Sequence, residues 1–159
     1  SKKNGDHEAA LKLYHEAIKL QPGNLETYYR RAFIYGRSGD YANAINDFSL
    51  VIKHDEKNQK RRYPSARKFR ADCFVALGYL PRAVEDYSML LKRNPTSNKS
   101  GKIWYYLAET FALMNKNEQA FQAIQRGCAT GSHWCKKMKI LEKKILTGQK
   151  IQLHRPLSN

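Results

Sequence analysis

Four alanines recur along the chain at nearly constant distances, and a large apolar side chain follows each of them four residues later. The alanines are Ala10, Ala44, Ala83 and Ala120, separated by 34, 39 and 37 residues, and the apolar partners are Tyr14, Phe48, Tyr87 and Ile124. A second set, Ala32, Ala71 and Ala108, keeps the same period, each with an aromatic residue three positions on. A repeat of this length is typical of stacked helical pairs, because one pair alone cannot bury its apolar face. The sequence therefore predicts an all-α solenoid.

The residue types at the repeated positions suit a pair of helices joined by a tight turn. Alanines let two helices approach closely, and the aromatics fill the neighbouring space. Gly39 and Gly78 each precede a repeated alanine by five residues, where a left-handed residue can end the first helix, and Asn115 takes this place in the last unit. Pro22 and Pro95 mark the ends of two units, since proline cannot continue a helix.

This pattern resembles the tetratricopeptide repeat. The matching residues in the best unit are Tyr28, Ala32, Tyr35, Gly39, Asp40, Tyr41, Ala44 and Phe48. The resemblance covers roughly residues 1–131 and implies a right-handed superhelix of antiparallel helix pairs. Two positions depart from the family pattern: Arg31 replaces an aliphatic residue, and Glu56 stands where a closing proline is expected.

The spacing also predicts how the chain is organised. The expected segments are a half-repeat at 1–24, repeats at about 25–58, 64–97 and 101–131, a capping helix at 132–147 and an extended tail at 148–159. Gly5-Asp6 is expected to start the second helix of the first unit, so we expect this chain to be the C-terminal part of a longer repeat protein. The capping helix is predicted from an apolar stripe of Trp134, Met138, Leu141 and Ile145 surrounded by lysines.

Positive charge is concentrated in two segments. The net charge is +15, of which residues 59–103 carry +8 and residues 132–159 carry +6. The first of these segments contains a five-residue insertion between two repeats, with Lys60, Arg61 and Arg62 in succession. We expect this insertion to steer an acidic partner towards the binding surface.

The resemblance implies that the first helix of each pair lines a concave groove that binds an extended peptide or a helix. The candidate partner-binding residues, with the basic insertion included, are Tyr29, Arg30, Phe33, Arg37, Lys60, Arg61, Arg62, Lys68, Asp72, Lys102, Tyr105 and Glu109. Their mixture of cations and aromatic rings favours an acidic or mixed peptide. The alternative for each aromatic residue is packing between repeats.

Other binding functions remain open from the sequence. A basic RNA-binding module would use the same cations on phosphates, and a cytoskeletal scaffold would use them on the acidic tails of tubulin. A co-chaperone adaptor would need a clamp for a terminal carboxylate, and Asp72 stands where that clamp has asparagine. An aspartate there would repel a carboxylate, which disfavours this role.

Catalysis is not expected. The sequence contains no phosphate-binding glycine loop, nucleophile elbow or zinc-protease motif, and its five histidines are scattered. No cofactor, metal or membrane span is predicted. The three cysteines, Cys73, Cys128 and Cys135, are too few for a disulfide framework. They are expected to be unpaired helix residues in a reducing cytoplasmic compartment, with cytoskeletal or ciliary association possible.

Overall fold

A computed structural model describes residues 2–57 and 62–152, and residues 2–4 by their backbone alone. The helices are α1 (Lys2–Leu20), α2 (Leu25–Ser38), α3 (Tyr41–Lys57), α4 (Ala66–Ala76), α5 (Leu80–Arg93), α6 (Gly101–Leu113), α7 (Asn117–Ala129) and α8 (Cys135–Leu146), with a 3-10 helix at Asn98–Ser100. No strand occurs in the described ranges, so the all-α prediction is confirmed. Helices α1–α4 form one compact unit and α5–α8 form a second.

Local signals in the sequence account for the helix ends in the first unit. The side chain of Asn24 accepts a hydrogen bond from the backbone N–H of Glu26 and caps α2. Gly39 ends the same helix with a φ of 88°, a left-handed conformation that glycine adopts without steric cost. Asp40 then accepts from the backbone N–H of Asn43 at the start of α3. The predicted helix–turn–helix is therefore present.

Helix α1 departs from its predicted start. It runs from Lys2 through Gly5 without a break, whereas Gly5-Asp6 was expected to begin it. Gly5 lacks the left-handed conformation of Gly39, Gly78 and Asn115. The glycine pattern of the first unit is therefore matched in sequence but not in conformation.

Arg31, the residue that departs from the family pattern, forms an ion pair with α3. Its Nε and Nη2 atoms donate to the two carboxylate oxygens of Asp47 at 2.7 and 2.8 Å. Its guanidinium also lies 5.5 Å from the ring centre of Tyr28 and 5.6 Å from that of Tyr35. Both members of the pair are largely buried. Arg31 thus fits the helix crossing because α3 supplies a buried carboxylate.

The C-terminal end of the basic insertion is anchored to α3. Asp55 accepts hydrogen bonds from the backbone N–H groups of Arg62 and Tyr63 at 2.9 and 3.1 Å. The side chain of Arg62 is exposed. Lys60 and Arg61 lie outside the described residues.

The second unit packs closely around α6. Ala83, Tyr87, Ala108, Ala120 and Ile124 are buried. Helix α8 covers α6 and α7 through Met138 and Leu141, which are also buried, as the apolar stripe predicted. At Gly127 a Cβ atom would lie 2.6 Å from the Met138 side chain and 2.7 Å from Trp104 Cβ, so no larger residue fits this crossing without displacement. The first residues of the predicted tail, 148–152, are not helical, and residues 153–159 lie outside the described chain.

The cysteine prediction is wrong for two of the three residues. Cys128 and Cys135 form a disulfide that joins the end of α7 to the start of α8. Their separation of seven residues reaches across the turn between these helices, which brings the two Cα atoms within 4.6 Å. Cys73 is a free thiol and is buried. Burial raises its pKa to about 12.

We expect one titratable thiol in the protein denatured without reductant and three after reduction. In the native oxidised protein at about pH 8, Cys73 should react with an aromatic disulfide reagent only at the rate of unfolding, because its thiolate is scarce and inaccessible. Thiol counting in denaturant, with and without prior reduction, measures both numbers, and the same reaction without denaturant measures the accessibility of Cys73. Three thiols in the unreduced, denatured protein would contradict the Cys128–Cys135 bond.

Enlarging the alanines at the helix crossings should destabilise the fold. Ala44 and Ala83 have no exposed surface, so Ala44→Leu and Ala83→Leu should each cost about 1–3 kcal/mol through overpacking. Urea denaturation followed by circular dichroism measures the effect, with exposed Ala42→Leu as a control for α3. Unchanged midpoints in both core variants would contradict close packing at these crossings.

Candidate protein-binding surfaces

An aromatic cluster on the first unit joins α2, α3 and α4. The ring of Phe33 lies edge-on to those of Tyr29, Phe48 and Phe69, with centroids 5.0, 5.5 and 4.5 Å away. Tyr63, the last residue of the insertion, adds a ring 5.0 Å from Tyr29. Phe33 packs against Phe69 of the next repeat, and Phe33 and Tyr29 are both half-buried, so each keeps part of its surface at the edge of the cluster.

The phenols at this edge remain donors over a wide pH range. Burial, followed by the nearby Glu26 carboxylate, raises the pKa of Tyr29. The same two causes raise the pKa of Tyr63. A phenol with a raised pKa keeps its proton, so the Tyr29 hydroxyl can donate a hydrogen bond to an acceptor on a partner, whereas the Tyr63 hydroxyl is hydrogen-bonded to Glu26.

The positively charged candidate residues of α2 are exposed to solvent. Arg30 Nε is 2.6 Å from the Glu26 carboxylate, and both side chains are largely exposed. Arg37 is exposed in the last turn of the same helix. An exposed ion pair contributes about 0–1 kcal/mol, so Arg30 can exchange its partner at little cost.

Lys68 and Asp72 on α4 are paired with each other. Lys68 Nζ lies 2.6 Å from Asp72 Oδ2 and 4.5 Å from the ring centre of Phe69. Only 1% of Asp72 is exposed. The lysine charge is thus compensated within the helix, and the aspartate has almost no surface to offer a partner.

Helix α6 repeats this arrangement in the second unit. Tyr105 donates from its hydroxyl to Glu109 Oε2 at 3.0 Å, again across four residues, and 2% of Glu109 is exposed. Burial, followed by the Glu109 charge, raises the pKa of Tyr105. Asp72 and Glu109 were predicted to contact a partner, but in this structure they are buried and pair with Lys68 and Tyr105 on their own helices.

Cations and rings are also combined at the start of α6 and α8. Lys137 Nζ lies 4.4 Å from the ring centre of the half-buried Trp134, and Lys102 Nζ lies 5.8 Å from it. Lys102 is also 5.7 Å from the centre of Tyr106, and Tyr105 packs 5.4 Å from Trp134. Both lysines are exposed, so this surface presents positive charge over an aromatic base.

The helical repeats of this chain match two known family descriptions. Residues 2–39 match the family described as TPR repeat, and residues 29–98 match the one described as tetratricopeptide repeat. The chain belongs to the tetratricopeptide-repeat family. The resemblance inferred from the repeated alanines and aromatics is confirmed.

Two curated relatives match more than half of this chain. The chain is 36% identical over 100 residues to serine/threonine-protein phosphatase 5 of Mus musculus, covering 63% of this chain and 19% of the phosphatase. It is 28% identical over 123 residues to DnaJ homolog subfamily C member 3 of Homo sapiens, and this match covers 77% of this chain and 23% of the relative. The chain thus spans about a fifth of the length of these relatives.

Solved structures of low identity share the fold. The crystal structure of MamA aligns with a TM-score of 0.68 and 16% identity, over 92% of this chain and 90% of that chain. The CopN–Scc3 complex aligns with a TM-score of 0.57 and 18% sequence identity, over 86% of this chain and 75% of that chain. These likenesses support the tetratricopeptide architecture of helix pairs.

The chain is accordingly a protein-interaction module of the tetratricopeptide type. This repeat is a non-catalytic module, and the absence of any activity in this chain stays a prediction. Among the described residues, no helix combines the length and apolar character that a membrane span requires.

The structural roles of several residues near these surfaces were not predicted from the sequence. Asp47 and Asp86 both follow a repeated alanine by three positions, and both are buried. Asp72 and Glu109 directly follow the first-helix alanines, each four residues after its partner. This recurrence could have indicated structural carboxylates. The cation–ring surface of Trp134 carried no such signal, because its parts come from α6 and α8.

Proposed function

We propose that this tetratricopeptide module binds an acidic peptide segment of a partner protein on the surfaces formed by its first helices and by the start of α8. The observation that carries the proposal is the exposed pair Lys102 and Lys137 over the Trp134 ring. A carboxylate could pair with either lysine while an adjacent apolar side chain contacts the ring. Arg30, Arg37 and Tyr29 offer the same mixture on the first unit.

RNA binding is the second candidate, and the net charge of +15 favours it. Single-stranded RNA would stack bases on exposed rings. Phe33 is half-buried among other rings and Trp134 is half-buried under lysines, which limits base stacking at these two rings. This arrangement favours a protein partner. A co-chaperone clamp is disfavoured, because Lys68 is paired with Asp72.

Competition binding distinguishes these functions. A fluorescent poly-glutamate peptide and a fluorescent uridine oligonucleotide of equal charge are each titrated with the chain at low salt. We expect tighter binding of the peptide, displacement of it by unlabelled poly-glutamate, and a loss in the Lys102→Glu/Lys137→Glu variant. The matched control is Lys143→Glu/Lys150→Glu, which makes the same charge change at other exposed lysines. Preferred binding of the oligonucleotide, or equal loss in the control, would overturn the proposal.

Replacing Lys60, Arg61 and Arg62 by serine should slow association with an acidic partner several-fold at low salt. Exposed cations act mainly through long-range steering, which salt screens. Stability should change little, because the anchoring bonds from Asp55 use the backbone of residues 62 and 63. Stopped-flow association at two salt concentrations measures the effect. Equal rates for variant and parent at low salt would reduce the insertion to a solubilising surface.

The redox state of Cys128 and Cys135 in cells tests the predicted cytoplasmic location. The proposed cytoplasmic location predicts reduced Cys128 and Cys135, whereas their bond in the structure predicts an oxidising environment. Trapping thiols with N-ethylmaleimide in intact cells, followed by mass spectrometry of the peptide containing both residues, decides between them.

A further inference from the structure

A slot of about 380 Å³ opens in the second unit between α5 and α7. Two side chains of α6 that line it, Trp104 and Leu107, are buried and form its floor. The residues assigned above to partner binding do not line this slot. Its volume lies near the lower end of ligand pockets in proteins, enough for one large side chain and its neighbours.

The walls of the slot are apolar. Leu91 of α5 and Ala123 of α7 are buried beside Leu107. The indole Nε1 of Trp104 donates to the carbonyl oxygen of Pro95 at 2.9 Å, so its polar group is already satisfied and its ring contributes apolar surface. Such walls favour an apolar side chain of a ligand.

The rim of the slot is positively charged. Lys92 stands on α5 and Arg126 on α7, both exposed, and Arg126 lies 5.9 Å from the ring centre of Trp104. Within the described chain, neither cation forms an ion pair and no carboxylate lines the slot. An acidic group next to the bound apolar side chain would complement this charge.

The side-chain amides along α7 suit a peptide ligand. Gln119 and Gln122 line the slot on the same helix as Arg126. The seven residue steps of helix from Gln119 to Arg126 span about 10 Å, which is the length of about three extended peptide residues. A glutamine amide both donates and accepts hydrogen bonds, so it can pair with the N–H and C=O groups of a peptide main chain. A lipid tail has no such groups.

We propose that the α5–α7 slot binds a short segment of a partner protein, with a large apolar side chain inserted and an Asp or Glu within two residues of it. None of the residues that line this slot belongs to the partner-binding surfaces proposed above. Peptide binding in the slot can therefore be confirmed or contradicted independently of the function proposed for those surfaces.

A peptide array tests the preference. Immobilised seven-residue peptides vary the central residue and the charge of its neighbours, and are probed with the labelled chain. We expect enrichment of a central Phe, Leu or Trp with at least one acidic neighbour. Lys92→Gln/Arg126→Gln should remove the acidic preference and weaken binding about three- to tenfold. The control Lys99→Gln/Lys136→Gln, with the same charge change outside the slot, should retain it.

Nuclear magnetic resonance then locates the strongest peptide of the array. Binding should shift the indole N–H signal of Trp104 and the amide signals of Gln122 and Ala123. Gln122→Trp, which places a ring at the slot from an exposed position, should weaken binding about tenfold while leaving the denaturation midpoint unchanged. Peptides that shift only residues around Tyr29 or Trp134, or an array without enrichment, would overturn the proposal.

Dodecanoate provides the comparison with a non-peptide ligand. It carries an apolar chain and a carboxylate but no amide. We expect it to shift the Trp104 signal less than the array peptide at equal concentration. If dodecanoate shifts these signals and no peptide does, the slot does not bind a partner protein.

Discussion

Arg31→Met is expected to destabilise the first unit by about 3–5 kcal/mol. Asp47 is largely buried and accepts two hydrogen bonds from Arg31, so removing the guanidinium leaves an uncompensated charge between α2 and α3. Methionine keeps most of the side-chain volume, which limits the loss of packing. Urea denaturation followed by circular dichroism measures the change in the free energy of unfolding.

The neighbouring arginine supplies the control. Arg30→Met breaks an exposed ion pair on the same helix and should change stability by no more than about 1 kcal/mol. The double variant Arg31→Met/Asp47→Leu removes both buried charges and should recover most of the lost stability. Similar losses for Arg30→Met and Arg31→Met, or no recovery in the double variant, would contradict a structural role for this pair.

Phe48→Ala is expected to destabilise the same unit by about 3–5 kcal/mol. Phe48 has no exposed surface, and its ring centre lies 5.5 Å from that of Phe33 and 6.2 Å from that of Phe69. Truncation leaves a cavity where α2, α3 and α4 meet. Stacked repeats depend on interfaces between neighbours, so near-ultraviolet circular dichroism should show loosened aromatic packing as well.

Two controls separate the cavity from a general effect of truncation. Leu13→Ala removes a side chain that is 72% exposed and should change stability by about 0.5 kcal/mol or less. Phe48→Leu keeps more volume and should lose less than Phe48→Ala. An equal loss for Leu13→Ala and Phe48→Ala would show that the ring is not part of a packed core.

The sequence by itself determined the repeat and its local turns. The alanine and aromatic spacing predicted the helix pairs, because residues at helical intervals share one face and small residues mark crossings. Gly39 and Asn115 predicted left-handed turns, a backbone property set within a few residues. Ala44, Ala83 and Phe48 were predicted to be buried for the same local reason, and they are.

Only the tertiary structure decided which polar groups are compensated and which are presented. Arg31 meets Asp47 sixteen residues away, and Cys128 reaches Cys135 across the turn before α8. Asp72 and Glu109 are buried although their helices carry the candidate binding residues. Ion pairing, burial and the α5–α7 slot depend on distances between helices, which a periodic pattern along one helix does not contain. The spacing therefore determined the scaffold, and packing between helices determined the surfaces available to a partner.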